Sequence, residues 1–140
     1  MISYKSGIKL ILGLGLALST FAVSAQTIGL TLSGSQEVPA VITSATAVAA
    51  ITIGPDGSVS GTITTTGIEG TMAHIHEAAM GQNGPVIVPF VKTGDNIWLA
   101  PPGAKLTDAQ FQSFKSGNLY LNVHSAVNKA GEIRAQLKPQ

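Results

Sequence analysis

The sequence predicts an all-β fold, an antiparallel Greek-key-like β-sandwich or barrel with one short helix near the C-terminal hairpin. Short segments rich in Thr, Val, Ile and Ala recur along the chain, and several of them alternate apolar with polar side chains. Turn signals built from Gly, Pro and Asn separate these segments at intervals of roughly ten residues, a spacing typical of sandwiches and barrels. Only one stretch has the pattern of a helix.

Six strands are predicted before that helix. Residues 27–33 alternate apolar with small or polar side chains, and Pro39 then indicates a sheet edge or a crossing loop. Residues 54–57, Gly-Pro-Asp-Gly, predict a tight turn and therefore a hairpin, because Pro presets φ and Gly accepts a positive φ. The six predicted strands are residues 27–33, 44–53, 58–66, 71–76, 85–91 and 96–100.

The helix is predicted over residues 107–116. Thr107 caps its start, Gln110 completes a capping box, and Gly117 suits the position after its end. Two phenylalanines in the segment, three residues apart, are expected to pin the helix to the core. The last two predicted strands are residues 119–125 and 132–137.

Residues 1–25 are predicted to be a secretory signal peptide. Lys5 and Lys9 precede the apolar run of residues 10–18, and the segment ends in a small-x-small triplet. The apolar run is shorter than the about 20 residues that span a bilayer, although a retained single-pass anchor is the alternative. We therefore expect export to the periplasm or the cell exterior, and a single domain over residues 26–140.

The charge of the chain excludes two classes of partner. Of the eight Lys and Arg, two lie in the predicted signal peptide, which leaves six against seven Asp and Glu and a net charge of −1. The basic residues that remain form no cluster. We therefore expect binding neither to nucleic acid nor, after signal removal, to a membrane, since both need a basic patch.

The chain contains no cysteine. An exported domain of this kind relies on its core and on any bound ligand rather than on disulfides. Thiolate nucleophiles, iron–sulfur clusters and blue-copper centres are excluded because each needs Cys. The sequence also has no P-loop, dinucleotide fingerprint or nucleophile elbow. Whether the protein is an enzyme stays open, with a non-catalytic role favoured.

All three histidines lie in two short predicted strands. Side chains alternate along a strand, so His74 and His76 share one face, and His124 shares the polar face of its own strand with Tyr120 and Asn122. Imidazole is the commonest nitrogen ligand of transition metals, and a β core has no need of two imidazoles on one face. The sequence therefore predicts a metal site formed by His74, His76 and His124. Tyr120 and Asn122 are expected to orient these ligands by hydrogen bonds without binding the ion themselves.

The residues next to the histidine pair favour copper. Met72 shares the face of the pair, and Met72 and Met80 are the only methionines after residue 25. A thioether beside imidazoles suits copper better than zinc, so copper is the expected ion and zinc the alternative. Met72 is thus an additional candidate ligand, although methionine more often fills space in a core. Glu77 is a second candidate, with an exposed turn carboxylate as the alternative.

A second interpretation fits the same spacing. In it the protein is a non-catalytic structural or protein-interaction module, and the histidines join Tyr120 and Asn122 in a hydrogen-bond network that fixes the strand register. Redox turnover at a bound copper is a third hypothesis, which rests on an open coordination position alone. Glu132 and Arg134 share one face of the last strand, where we expect a cross-strand ion pair rather than catalysis, worth only about 0–1 kcal/mol if it is exposed.

An ordered set of short motifs extends over most of the chain. The motifs are residues 32–39 (ending Gln-Glu-Val-Pro), 73–76 (Ala-His-Ile-His), 84–86 (Gly-Pro-Val), 117–124 (ending Asn-Val-His) and 131–134 (Gly-Glu-Ile-Arg). Together they resemble the CHRD domain family, named for the extracellular antagonist chordin. The resemblance implies a compact, exported, mostly β domain with an extracytoplasmic protein partner and, in microbial members, no agreed biochemical activity. The chain departs from the family pattern at Glu77 and Ala135, and neither departure changes the expected fold.

Overall fold

The computed structural model describes residues 24–140, which form nine strands and one α-helix. The strands are β1 (Gln26–Ser33), β2 (Thr46–Ile53), β3 (Val59–Thr66), β4 (Gly70–Glu77), β5 (Val86–Pro89), β6 (Val91–Gly94), β7 (Ile97–Leu99), β8 (Leu119–Ser125) and β9 (Ile133–Leu137). The helix is α1 (Asp108–Lys115), and a 3₁₀ turn, Gly34–Gln36, follows β1.

All nine strands belong to one antiparallel sheet with the order β5-β4-β8-β9-β1-β2-β3-β7-β6. The sheet curls into a nearly closed barrel. Strands far apart in the chain are neighbours, β4 with β8 and β9 with β1, so the connections cross over as in a Greek key. The predicted all-β fold with one short helix before the C-terminal hairpin is confirmed.

The β2–β3 hairpin forms where the Gly-Pro-Asp-Gly turn predicts it. The N–H of Gly54 donates to the carbonyl of Ser58 at 2.8 Å, and the N–H of Gly57 donates to the carbonyl of Gly54 at 2.9 Å. Gly57 has a φ of +81°, in the left-handed region that L side chains rarely adopt. The turn therefore sets the register that pairs Ile53 with Val59.

The helix is also capped as its sequence predicts. The N–H of Gln110 donates to the Thr107 hydroxyl at 3.2 Å, and the N–H of Thr107 donates to the Gln110 side chain at 2.9 Å. Gly117 follows the last turn with a φ of +74°. Phe114 is buried in the core and Phe111 packs at its margin, which fixes the helix against the barrel.

One predicted strand is wrong. The sequence predicts a single strand over residues 85–91, whereas the strand is interrupted at Phe90, between β5 and β6. The N–H of Phe90 donates to the carbonyl of Ala73 and its ring is buried, so this residue anchors the interruption. β5 pairs with β4 and β6 pairs with β7. An apolar run gives no signal for such an interruption, because both halves remain strand-like.

The central strand β8 is buried on both faces. Its inner face carries Leu119, Leu121 and Val123, which join the apolar core. Its outer face carries Tyr120 and Asn122 together with the last histidine, and these polar residues are buried as well. Because these outward residues are buried, a second layer must cover the outside of the barrel at β8. That layer also has to supply hydrogen-bond partners for the buried polar groups.

Most of the predicted signal peptide, residues 1–25, lies outside the described residues. Its boundary with a domain over residues 26–140 stays a prediction. Within residues 24–140 no helix is long and apolar enough to cross a membrane.

Candidate metal centre

The three histidines lie together on the outer face of the barrel, where β4 and β8 run side by side. The inner face of the same two strands carries the apolar side chains of the core. One ring nitrogen from each of His74, His76 and His124 lies within 4.8 Å of the other two. The cross-strand pairs on this outer face are Met72–His124, His74–Asn122 and His76–Tyr120.

Backbone carbonyls orient two of the three rings. Nδ1 of His76 donates to the carbonyl of Gly84 at 2.9 Å, and Nδ1 of His124 donates to the carbonyl of Lys129 at 2.9 Å. A carbonyl only accepts, so in each ring the proton is assigned to Nδ1 and the lone pair to Nε2. The same hydrogen bond fixes the tautomer and the orientation of metal-ligating histidines in general.

His74 is half-buried, whereas His76 and His124 are buried, and its ring contacts both of theirs. Its Nδ1 is 3.0 Å from Nε2 of His124, and because that Nε2 is an acceptor, Nδ1 of His74 is the donor. The ring of His74 meets the ring of His76 edge-on, with centroids 5.4 Å apart. Coordination of an ion through Nδ1 of His74 requires its proton to move to the other ring nitrogen.

His76 has a lone pair that nothing in the described chain uses. Its Nε2 is buried and has no hydrogen-bond partner among residues 24–140. Burial lowers the pKa of His76, and burial together with the nearby His124 and His76 lowers the pKa of His74 to about 4. Both rings are therefore neutral near pH 7, which is the protonation state that binds metal ions.

A stack of three planar groups lies behind His76. Its ring is parallel to the ring of Tyr120, with centroids 4.7 Å apart and an interplanar angle of 8°. The guanidinium of Arg134 lies 3.4 Å from the centroid of the same Tyr120 ring. Since β8 runs between β4 and β9, Tyr120 is sandwiched between the imidazole and the guanidinium. The stack prevents His76 from rotating away from the cluster.

The loop of residues 78–85 covers this stack. The Arg134 guanidinium donates to the carbonyl of Gln82 at 2.8 Å and to the side-chain oxygen of Asn83 at 3.1 Å. The N–H of Gly84 donates to the Tyr120 hydroxyl at 3.2 Å. A Cβ at Gly84 would overlap the backbone oxygen of residue 77, so only glycine brings this carbonyl to His76.

The family comparison covers the barrel and every residue of this cluster. The family model of the CHRD domain matches residues 28–137. The chain belongs to this family. No curated protein and no solved structure matches the chain. The five motifs of the CHRD resemblance thus lie within one family match, and they contribute the three histidines, Gly84 and Arg134.

The other candidate ligands in this CHRD domain are placed differently. Glu77 points to the opposite face of β4 and accepts a hydrogen bond from the Ser113 hydroxyl of α1, so it is not grouped with the histidines. Met72 lies on the histidine face but is 47 % exposed, at the solvent rim. Met80 lies in the covering loop and is 69 % exposed.

The predicted ion pair of Glu132 and Arg134 is wrong. Arg134 is only 2 % exposed, and no salt bridge joins the two residues within the described chain. The Glu132 carboxylate instead accepts a hydrogen bond from the hydroxyl of Thr43 at 2.7 Å. Alternation placed the two side chains on one face, but it gave no information about the loop that buries Arg134.

Sequence reasoning assigned no role to Glu37. This carboxylate follows the 3₁₀ turn and is buried, and its Oε1 has no hydrogen-bond partner among residues 24–140. Burial raises the pKa of Glu37, while the charge of Arg134 and the side-chain amide of Asn122 oppose that rise. The only signal in the sequence was its place in the motif of residues 32–39.

Proposed function

We propose that this CHRD protein is exported and binds one transition-metal ion through His74, His76 and His124, with copper favoured and zinc as the alternative. The observation that carries the proposal is the convergence of three imidazole nitrogens within 4.8 Å, one of them buried and unpartnered in the described chain. Ions of this class need lone pairs at about 2.0–2.3 Å, which three nitrogens at this spacing provide with small ring movements.

The preference for copper rests on two arguments. Sites made of imidazole bind Cu²⁺ more tightly than other divalent first-row ions. The thioether of Met72 lies on the same face, opposite His124 in the register, and a soft sulfur donor also favours copper. Export rests on the signal-like pattern of residues 1–25.

Metal binding to the exported chain, purified without a histidine tag, tests the proposal. We expect one equivalent of copper after loading and dialysis, and a loss of affinity of 10-fold or more in each of His74→Ala, His76→Ala and His124→Ala. Elemental analysis and calorimetric titration measure the two quantities. Glu77→Gln is the matched control, because its side chain points to the opposite face of β4, and we expect it to bind like the wild type.

Two results contradict the proposal. The first is an absence of stoichiometric copper or zinc in the wild type after loading. The second is an affinity that stays unchanged in the three histidine variants, which would place any bound metal elsewhere on the chain.

A second candidate function has its own supporting observation. The hydrogen bond of 3.0 Å between His74 and His124 fits a structural or protein-interaction module in which the histidines only bond to one another. In that case His74→Ala lowers the free energy of unfolding equally with and without added copper. The metal site predicts instead that copper stabilises the wild type and not the variant, since an ion that binds only the folded state raises its stability. Denaturant titrations with and without copper separate the two.

A further inference from the structure

Three buried acceptor atoms without partners lie on neighbouring residues at the histidine cluster, where Asn122 is close to both His76 and Glu37. Within residues 24–140 they are Nε2 of His76, Oδ1 of Asn122 and Oε1 of Glu37. Buried polar atoms almost always have a hydrogen-bond partner, because leaving one unpaired costs free energy. Acceptors grouped in this way attract a positive charge rather than another acceptor.

Asn122 lies at the centre of the cluster. It is directly opposite His74 in the β4–β8 register, and it is 1 % exposed. On its own strand the neighbours on the same face are Tyr120 and His124. Its side-chain amide is also close enough to His76 to oppose the lowering of that pKa by burial. The amide therefore borders the space that the histidines face.

Glu37 determines which end of this amide faces the histidines. A Cβ built at Gly131 would lie 2.5 Å from Oε1 of Glu37 and 2.6 Å from Nδ2 of Asn122, so these two atoms approach the same point. A carboxylate accepts and does not donate, so it favours the amino end of Asn122 on its own side. The carbonyl oxygen of Asn122 is then directed away from Glu37, toward the imidazoles.

We propose that Asn122, oriented by Glu37, supplies its carbonyl oxygen as a fourth protein donor to the ion bound by the three histidines. This inference rests on the proposed function and specifies its ligand set as three nitrogens and one oxygen. An amide oxygen is a harder donor than a thioether, so the set favours a divalent ion over Cu⁺. Glu37 is a positioning residue, because it acts on the ion only through Asn122.

Titration of the full chain with Co²⁺ alone, followed by its visible absorption, tests the inference. The Co²⁺ bands report the number and kind of donors, so they respond to a lost ligand in a way that a merely structural change does not. For Asn122→Leu we expect an affinity 10- to 100-fold weaker and a changed spectrum. Asn122→Asp keeps an oxygen donor at this position, and we expect it to bind Co²⁺ within about threefold of the wild type.

Glu37→Gln tests the positioning role separately. A glutamine presents both a donor and an acceptor, so it no longer selects one orientation of the Asn122 amide. We expect an affinity between those of the wild type and Asn122→Leu. Thr65→Val is the control for stability. Thr65 is a buried residue of β3, away from the cluster, and its hydroxyl donates to the carbonyl of Asn96. Its Co²⁺ affinity and spectrum should match the wild type.

Three results would overturn the inference. Wild-type Co²⁺ affinity and spectrum in Asn122→Leu would exclude the oxygen donor while leaving the three-histidine site intact. If Asn122→Leu does not fold, a Glu37→Gln protein with the wild-type spectrum and affinity decides against the inference. An absence of Co²⁺, Cu²⁺ and Zn²⁺ binding in the wild type would overturn this inference and the proposed function together.

Discussion

The outward side chains are exposed to solvent on one side of the barrel and buried on the other. On β2 and β3, which we call the open wall, outward residues such as Thr46, Val48 and Thr64 are exposed to solvent. On β4, β8 and β9, the covered wall, outward residues such as Asn122 and Arg134 are buried beneath loops. Both walls belong to one sheet with the same alternation. What differs is the second layer, which among residues 24–140 covers only the covered wall.

This difference shows on which wall the identity of a polar residue can indicate a binding site. On the open wall a threonine hydroxyl finds water whatever its neighbours are, so its identity matters little. On the covered wall each polar atom needs a particular partner, and an atom left without one indicates a ligand or a proton. His76 and Asn122 both carry such an atom, and both border the candidate metal site.

The largest expected effect on stability comes from removing the Arg134 guanidinium, which holds the covering loop on the barrel. Arg134→Met removes the donors to Gln82 and Asn83 and leaves Glu37 without a nearby positive charge. We expect the free energy of unfolding to fall by about 3 kcal/mol, measured by denaturant titration. Lys105→Met is the control, since Lys105 is exposed, and it should leave stability unchanged. Equal effects of the two changes would contradict the comparison of the walls.

A second prediction compares two glycines. Gly84→Ala drives a Cβ into the backbone of residue 77 and displaces the carbonyl that holds His76, so we expect a loss of about 2 kcal/mol and weaker copper binding. Gly29 lies on β1, and no atom of residues 24–140 is within 4 Å of a Cβ added there. Gly29→Ala should be neutral or slightly stabilising, because it reduces the entropy of the unfolded chain. A neutral Gly84→Ala in the same assay would show that the loop does not position His76.

Acid should weaken the covered wall in the metal-free protein. Burial lowers the pKa of His74 to about 4 and lowers that of His76, so folding favours the neutral rings. Their contribution is fully present above pH 6.5, the unfolded value, and is lost as the pH falls toward 4. We expect the free energy of unfolding to fall by about 1 kcal/mol between pH 6.5 and 5. This is less than the pKa shift alone would give, because His74 is half-exposed.

Chelator-treated protein and its His74→Gln variant, unfolded in urea across this range, check that prediction. The variant should show a shallower slope. Burial raises the pKa of Glu37, so its protonation favours the folded state as the pH falls, with the sign opposite to that of the histidines, and Glu37 is present in both proteins. Identical slopes would mean that His74 does not share the desolvated environment that the structure gives it.

The smallest expected effect is on the open wall. Val48→Thr changes an outward side chain that is 62 % exposed, without altering its branched shape. We expect a change in unfolding free energy within about 0.5 kcal/mol and no change in copper affinity. A large loss would show that this face is covered in solution and that the two walls are more alike than the structure indicates.

Local patterns predicted the parts of the molecule that local forces determine. The turn at residues 54–57 and the cap at Thr107 form as expected because each depends on contacts within four residues. Alternation also placed His74 and His76 on one face, since it depends only on strand geometry. The interruption at Phe90 was not predicted, because it depends on pairing with different strands on its two sides.

The support of the candidate site could not be predicted because it is non-local. Arg134 bonds to Gln82 across 52 positions of the chain, and Asn83 bonds to the carbonyl of Val38 across 45. The sequence gives no sign that these loops fold over β8. For the same reason the sequence predicted an ion pair for Arg134, and it assigned no role to Glu37.

The X-ray absorption spectrum of the copper-loaded, exported protein tests the central claim most directly, because it counts the imidazoles bound to the ion. The account predicts one copper per chain with a first shell of nitrogen and oxygen at about 2.0 Å that includes three imidazoles. Substoichiometric copper, or a first shell with fewer than three imidazoles, would contradict it.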